Sequence, residues 1–462
     1  MQKPQKMTQH ISFKYKRNFF LRRERHHRLL HSPWAGGLVL VIFAALAMIL
    51  ANIPATAEVY HHLLESHLTV GFDHFKLSKP LEAWINDGLM VIFFFHVGLE
   101  IKREIIAGHL STIRQAALPI AAAIGGMIVP ALIYTGINLA GGELSGWGVP
   151  MATDIAFAIG VLSLLGNRVP VSLKIFLTAL AVADDLGGIL VIALFYSTDI
   201  HFEILGIIAG VFLLMILLRK FNVYKMRYYL ILSIVIWILF LYSGIHATIA
   251  GVLIALTIPS TPRYTKRYFL YKTQFYLDSF RQHNRDGVEI LSNKKQLEDI
   301  ETIRQIAVNA ISPSQRLEYA LHHTVAFFIM PIFALANAGI KIEGFGDLGI
   351  LFKPLGAGIF LGLVLGKPIG IFLFSRLAVH LKWGELPEGT TWPMIFGVSC
   401  LGGIGFTMSI FINNLAFSDP AALTGGKISI LIASLTAGVV GWLITRIVSP
   451  RKKTVSSHEK NI

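Results

Sequence analysis

The chain has 462 residues, of which 54% are hydrophobic and only 15% charged, with a formal net charge of +14. Its apolar runs are repeatedly long enough to cross a hydrocarbon core of about 30 Å, which excludes a soluble multidomain protein. The basic residues lie between these runs rather than on one wetted face, so the positive balance reads as membrane topology and no nucleic-acid partner is expected.

Residues 1–34 form a basic, histidine-rich stretch without an apolar segment followed by a small-residue cleavage site, and are expected to be a retained cytoplasmic tail. Residues 35–450 then read as one transmembrane domain and 451–462 as a second basic tail. Apolar windows bounded by charges, Gly or Pro start near residues 35, 82, 116, 146, 172, 203, 223, 245, 319, 356, 393 and 427. They predict an all-α polytopic membrane protein with about 12 transmembrane helices. The eighth window, residues 245–259, is the shortest. Residues 262–315 are a polar insertion, read as a solvated cytoplasmic loop in which Lys294, Lys295, Glu298, Asp299 and Glu301 follow a helical pattern. With both termini inside, one side carries only Lys76, Lys79, Lys341, Lys353 and Lys427, and Lys367 lies within a span. The rest of the 41 Lys and Arg then fall on the cytoplasmic side. The single cysteine, Cys400, sits in an apolar stretch and is read as a packing residue.

A charged side chain at bilayer depth costs about 2.5 to 3.5 kcal/mol, so one that remains faces protein or water and usually serves transport. Asp154, the adjacent pair Asp184 and Asp185, and Lys367 all lie well inside apolar segments. Successive residues on a helix point about 100° apart, so one aspartate of the pair can face Lys367 while the other lines a cavity. Lys367 is then either part of the transport site or a purely structural counter-ion. Carboxylates, the Thr153 hydroxyl and backbone carbonyls are the oxygen donors that a hard monovalent cation prefers. Burial and a like-charged neighbour both favour protonation of a carboxylate, so the same group can hold a proton or a sodium ion. Exchange follows if one occupant excludes the other. No phosphate-binding loop is evident, so neither ATP nor another cofactor is expected.

Gly146, Gly148 and Pro150 precede Thr153 in the fourth span, and Gly402, Gly403 and Gly405 interrupt the eleventh. Two interrupted spans of opposite direction are the pointer to an inverted-repeat transporter with a midplane site. Glycines for close helix packing are the alternative.

The segments Asn86-Asp87, Val97-Gly-Leu-Glu-Ile-Lys-Arg-Glu, Ala152-Thr-Asp-Ile-Ala-Phe-Ala, Asp184-Asp185-Leu-Gly, Ser243-Gly-Ile-His-Ala-Thr-Ile-Ala-Gly, Ala334-Leu-Ala-Asn-Ala-Gly, Gly366-Lys-Pro and Cys400-Leu-Gly-Gly-Ile-Gly-Phe-Thr-Met-Ser occur in that order. Together they resemble the NhaA family of bacterial sodium/proton antiporters, over residues 35 to about 447. The resemblance implies an inner-membrane secondary antiporter, not an enzyme, moving Na+ or Li+ against H+ in an electrogenic cycle whose activity rises at alkaline pH. It implies that Asp184 and Asp185 bind the cation and carry protons and that Lys367 pairs with Asp184. Asp154 and Lys367 would offset helix dipoles where spans four and eleven cross. It places Glu100, Arg103, Glu104, Glu318 and His322 in a pH-responsive cluster, and it suggests a homodimer. The chain departs from the family at Gln315 and Tyr319, where relatives carry ionisable groups, and in its longer insertion. His246 either titrates near neutral pH or packs as a satisfied histidine, the second being preferred. Thr178 and Asn337 offer polar contacts between helices.

Three other functions fit less well. An intramembrane aspartyl protease needs its two aspartates on separate helices, and a prenyltransferase needs two aspartate-rich magnesium motifs. A transporter coupling ions to an organic solute is the stronger rival, separated by measuring sodium-driven proton flux with no solute present.

Overall fold

The computed structural model describes residues 33–72, 75–197, 200–284, 292–341 and 344–449. The two expected tails, apart from Pro33 and Trp34, lie outside them. Among the described residues eight helices are long and apolar enough to cross a membrane, or nine if the bent pair Trp392–Gly402 and Phe406–Ala416 is one span. Two shorter apolar helices, Met226–Tyr242 and Ala247–Thr257, stand at the expected seventh and eighth spans. The expected second span is divided between a π-helical turn, Ile85–Leu89, and the helix Met90–Ala107, whose end is charged. The described residues fall into two compact units, one drawn from residues 33–82, 112–188 and 326–449, the other from 83–111 and 189–325.

The first unit opens with α1 (Pro33–Asn52) and α2 (Pro54–Glu65), the latter started by a proline whose missing N–H costs nothing at a first helical turn. A hairpin absent from the sequence reading follows. Strands β1 (His67–Phe72) and β2 (Phe75–Pro80) pair antiparallel from His67 opposite Pro80 to Phe72 opposite Phe75. The membrane core of this unit centres on α4 (Ile113–Asn138) packed along α15 (Lys367–His380). A Cβ on Gly125 would strike the Gly370 carbonyl, and one on Gly370 would strike that of Gly125. These two helices approach backbone to backbone, which in lipid supplies packing where water supplies no driving force.

In the second unit α3 (Met90–Ala107) packs on α9 (Ala247–Thr257) by the same device, since a Cβ on Gly98 would stand 2.7 Å from that of Ala255. Between them in sequence come α6 (Val171–Phe195), which contributes to both units, α7 (Phe202–Lys220) and α8 (Met226–Tyr242). The insertion forms a helical hairpin, α10 (Lys266–Gln282) and α11 (Lys294–Ala310), so the helix expected from Lys294 onward is present. Thr265 and Asn293 cap the two helices by accepting from Tyr268 N and Gln296 N. Gln296 and Asp299 join them through bonds to the Phe280 carbonyl and the Ser279 hydroxyl. On the exposed side Arg304 forks onto Glu301 and holds its carboxyl below the usual carboxylate range. Then α12 (Pro313–Thr324), capped by Ser312, begins the next span.

The approach of α4 to α15 leaves no room for a branched side chain. Gly370→Val is expected to destabilise the protein by about 1–3 kcal/mol through overpacking. Gly210→Ala on α7, where an added methyl meets nothing, is expected to be neutral or stabilising by up to about 1 kcal/mol. Thermal unfolding of the two variants in detergent checks the contrast.

Candidate ion-binding site

The first unit gathers Thr153, Asp154, Asp184, Asp185 and Lys367, none more than 5% exposed. Two helix breaks build the site. In one, a 3-10 turn, Leu144–Met151, ends ahead of Thr153 and Asp154, and α5 (Ile155–Leu164) begins directly after. The other lies between α16 (Trp392–Gly402) and α17 (Phe406–Ala416), which meet at 45°. Glycines in both stretches, and Pro150 in the first, remove the side chains and the N–H that would let a helix run on.

The broken strands of backbone satisfy one another. Asp154 N donates to the Ile404 carbonyl at 2.7 Å, the Thr153 hydroxyl donates to the Gly402 carbonyl at 2.8 Å, and the Ser409 hydroxyl donates to the Val149 carbonyl at 2.9 Å. At bilayer depth no water would replace these bonds, so irregular backbone is tolerated only where protein supplies the partners.

Asp154 stands at two helix N-termini at once. Its Oδ1 accepts from Phe157 N at 3.0 Å, capping α5, and its Oδ2 accepts from both the backbone N–H and the hydroxyl of Thr407 in the first turn of α17. Each N-terminus carries a partial positive charge of about half an electron, which favours a carboxylate at this position. Thr407 was not singled out from the sequence; its one signal was its place just after the glycines of the break.

Lys367 reaches the same region from α15. A π-helical turn, Gly362–Gly366, follows α14 (Pro354–Leu361) and shifts the register immediately before the lysine. A Cβ on Gly362 would come within 2.7 Å of Pro150 Cβ, so this turn lies against the first break. The fully buried ammonium donates to Asp184 Oδ2 at 2.5 Å and to the Thr153 hydroxyl, which in turn bonds the C-terminal carbonyl end of α16. Asp184 Oδ1 has no hydrogen-bond partner. Asp185, next on α6, is buried and within Coulombic reach of Lys367. Two carboxylates thus lie beside one ammonium. With Asp154 met by dipoles, the Asp184, Asp185 and Lys367 group carries one surplus negative charge when all three are ionised. A proton or a bound cation would balance it.

Within the second unit Arg103 is ion-paired to Glu318 and, at 2.9 Å, to Glu104, whose other oxygen accepts from His109 N. Glu100 and His322 belong to an adjoining group with His96, so five of the expected pH-responsive residues come together. His246 hydrogen-bonds the Thr248 hydroxyl at 3.1 Å. Lys102, overlooked in the sequence, donates to the carbonyls of Ala255, Leu256 and Ile258 and so terminates α9. Asn337 joins two helices as expected, accepting from Asn414 at 2.7 Å, whereas the Thr178 hydroxyl bonds Lys174 one turn back in its own helix. An unpaired hydroxyl finds that carbonyl without any partner helix.

The fold and the site define a helical multi-pass membrane protein with an ionised centre built on broken helices. A family model described as Na+/H+ antiporter 1 matches residues 27–445, and the chain belongs to that family. It is 49% identical over 413 residues to the Na(+)/H(+) antiporter NhaA of Oleidesulfovibrio alaskensis, covering 89% of this chain and 91% of that protein. It is 46% identical over 418 residues to the Na(+)/H(+) antiporter NhaA 2 of Syntrophotalea carbinolica, covering 90% and 95%. Identity to the Na(+)/H(+) antiporter NhaA of Escherichia coli O1:K1 / APEC is 43% over 426 residues, covering 91% and 98%.

Removing the ammonium leaves Asp184 buried without its counter-charge. Lys367→Ala is therefore expected to destabilise by about 3–5 kcal/mol, at least as large an effect as its loss of transport. Thermal unfolding measured beside ion flux tests this.

Proposed function

We propose that the chain is a secondary active antiporter that exchanges cytoplasmic Na+, or Li+, for external protons in the bacterial inner membrane. The observation that carries this reading is the pair of buried carboxylates, Asp184 and Asp185, beside the buried ammonium of Lys367. Family membership supplies the transported ions.

A proton and a hard cation compete for the same oxygens, since protonation removes the lone pair and the charge that the cation needs. Protons arriving from outside displace the cation, and cation binding from the cytoplasm displaces protons. More protons than sodium ions move per cycle, so the cycle is electrogenic. Thr153 and the carbonyls freed at the breaks supply neutral donors, while Asp154 and Lys367 compensate the helix ends. The architecture is an inverted-repeat fold of about 12 spans with spans four and eleven interrupted and both termini cytoplasmic. The distribution of Lys and Arg supports that orientation. Glu100, Arg103, Glu104, Glu318 and His322 adjust activity to pH, and the protein works as a homodimer in the lipid bilayer.

Sodium-driven proton flux in everted vesicles across pH 6 to 9, with no organic solute present, tests the reading; flux that requires a solute would favour a coupled solute transporter instead. Asp184→Asn and Asp185→Asn are each expected to insert normally and lose exchange entirely. Robust antiport by either variant would remove the mechanism.

A further inference from the structure

A second polar group in the other unit is built from a different donor chemistry. His96 and Glu100 stand four residues apart on α3 and share one of its faces. His322 comes from α12, which packs against α3. One ligating atom from each of the three side chains lies within 4.8 Å of the other two. The rings of His96 and His322 are 5.8 Å apart between centroids. His96 is only 4% exposed, and its Nε2 has no hydrogen-bond partner. An imidazole nitrogen buried in that way costs about 1–3 kcal/mol unless something occupies it.

We propose that His96, Glu100 and His322 bind one divalent transition-metal ion, with Zn2+ the physiological candidate, at a site separate from that of the transported cation. Two imidazoles and one carboxylate are a donor set that holds zinc with a fourth position open to water. Sodium prefers oxygen throughout, whereas imidazole nitrogen suits zinc, copper, nickel and cobalt. Zinc–ligand bonds of about 2.0–2.2 Å draw tetrahedral donors to roughly 3.3 Å apart, so side-chain rotation must close the remaining gap. The nearest opposing charge on α3, Arg103, is held by Glu104 and Glu318, and these carboxylates offset its repulsion. A metal ion here would bridge α3 and α12 and hold them at one separation.

The test uses the full chain, purified in detergent, freed of affinity-tag histidines, stripped with a chelator and titrated with Co2+. Visible absorption of bound Co2+ reports the ligand set, and Zn2+ is then added to displace it. The expected result is one tight Co2+ per chain, released by an equivalent of Zn2+. His96→Leu and His322→Gln should each weaken binding more than about tenfold. His323→Gln, one position along, should leave the affinity unchanged. Residues 1–32 contain further histidines, so the difference between wild type and His96→Leu reads this site. Where a histidine variant fails to fold, Glu100→Gln is read in its place and should also weaken binding. A wild-type protein without the Co2+ band overturns the proposal, as does unchanged affinity in the folded variants.

Discussion

Buried carboxylates gathered beside one buried ammonium are the constraint around which this molecule is arranged. Asp184 and Asp185 share a low-dielectric interior with one ammonium, that of Lys367, which donates to Asp184 over 2.5 Å. Replacing such a group with apolar residues would often stabilise a fold, so packing stability alone does not account for these buried charges. The surrounding backbone is shaped to tolerate them. Asp154, equally buried, accepts from the first turns of two helices, because the breaks at 152–154 and 403–405 turn those ends toward it.

The same breaks explain the concentration of small residues. A helix interrupted at bilayer depth frees carbonyls and N–H groups that must find protein partners. Thr153 and Ser409 supply donors to the carbonyls and Asp154 accepts from the N–H groups, within reach because glycines allow the segments to touch. The π-helical turn before Lys367 belongs to this arrangement, since one extra residue in the register re-aims the side chain that follows it. Close helix packing, hydrogen-bonded breaks and the charged centre are therefore one structural solution.

The second unit handles its ionisable groups with direct partners. Lys102 spends its ammonium on three carbonyls at the end of α9, and Arg103 divides its guanidinium between Glu104 and Glu318. These are local pairings at a helix end, where partial exposure of Arg103 lowers the cost of charge. His96 differs from them in being buried with a nitrogen unsatisfied.

Much of this was legible in the linear chain, because the decisive signals are local in it. Apolar runs of membrane length show wherever they occur, and Asp154, Asp184, Asp185 and Lys367 stand out as charges inside them. The glycines of the two breaks, and Pro150 of the first, could likewise be read beside the residues they serve. What remained hidden depends on residues far apart in sequence. Thr407 meets Asp154 across 253 positions, Lys102 meets Ile258 across 156, and His96 meets His322 from another helix. The hairpin of β1 and β2 escaped because six-residue strands between spans carry too short a pattern to distinguish from a loop. Helix limits were uncertain for a related reason, since the π-helical turns and charged ends that shorten a span are set by neighbouring helices. Composition and spacing can state which chemistry a segment carries; only packing decides which groups share a charge, because that energy depends on distances the chain order does not contain.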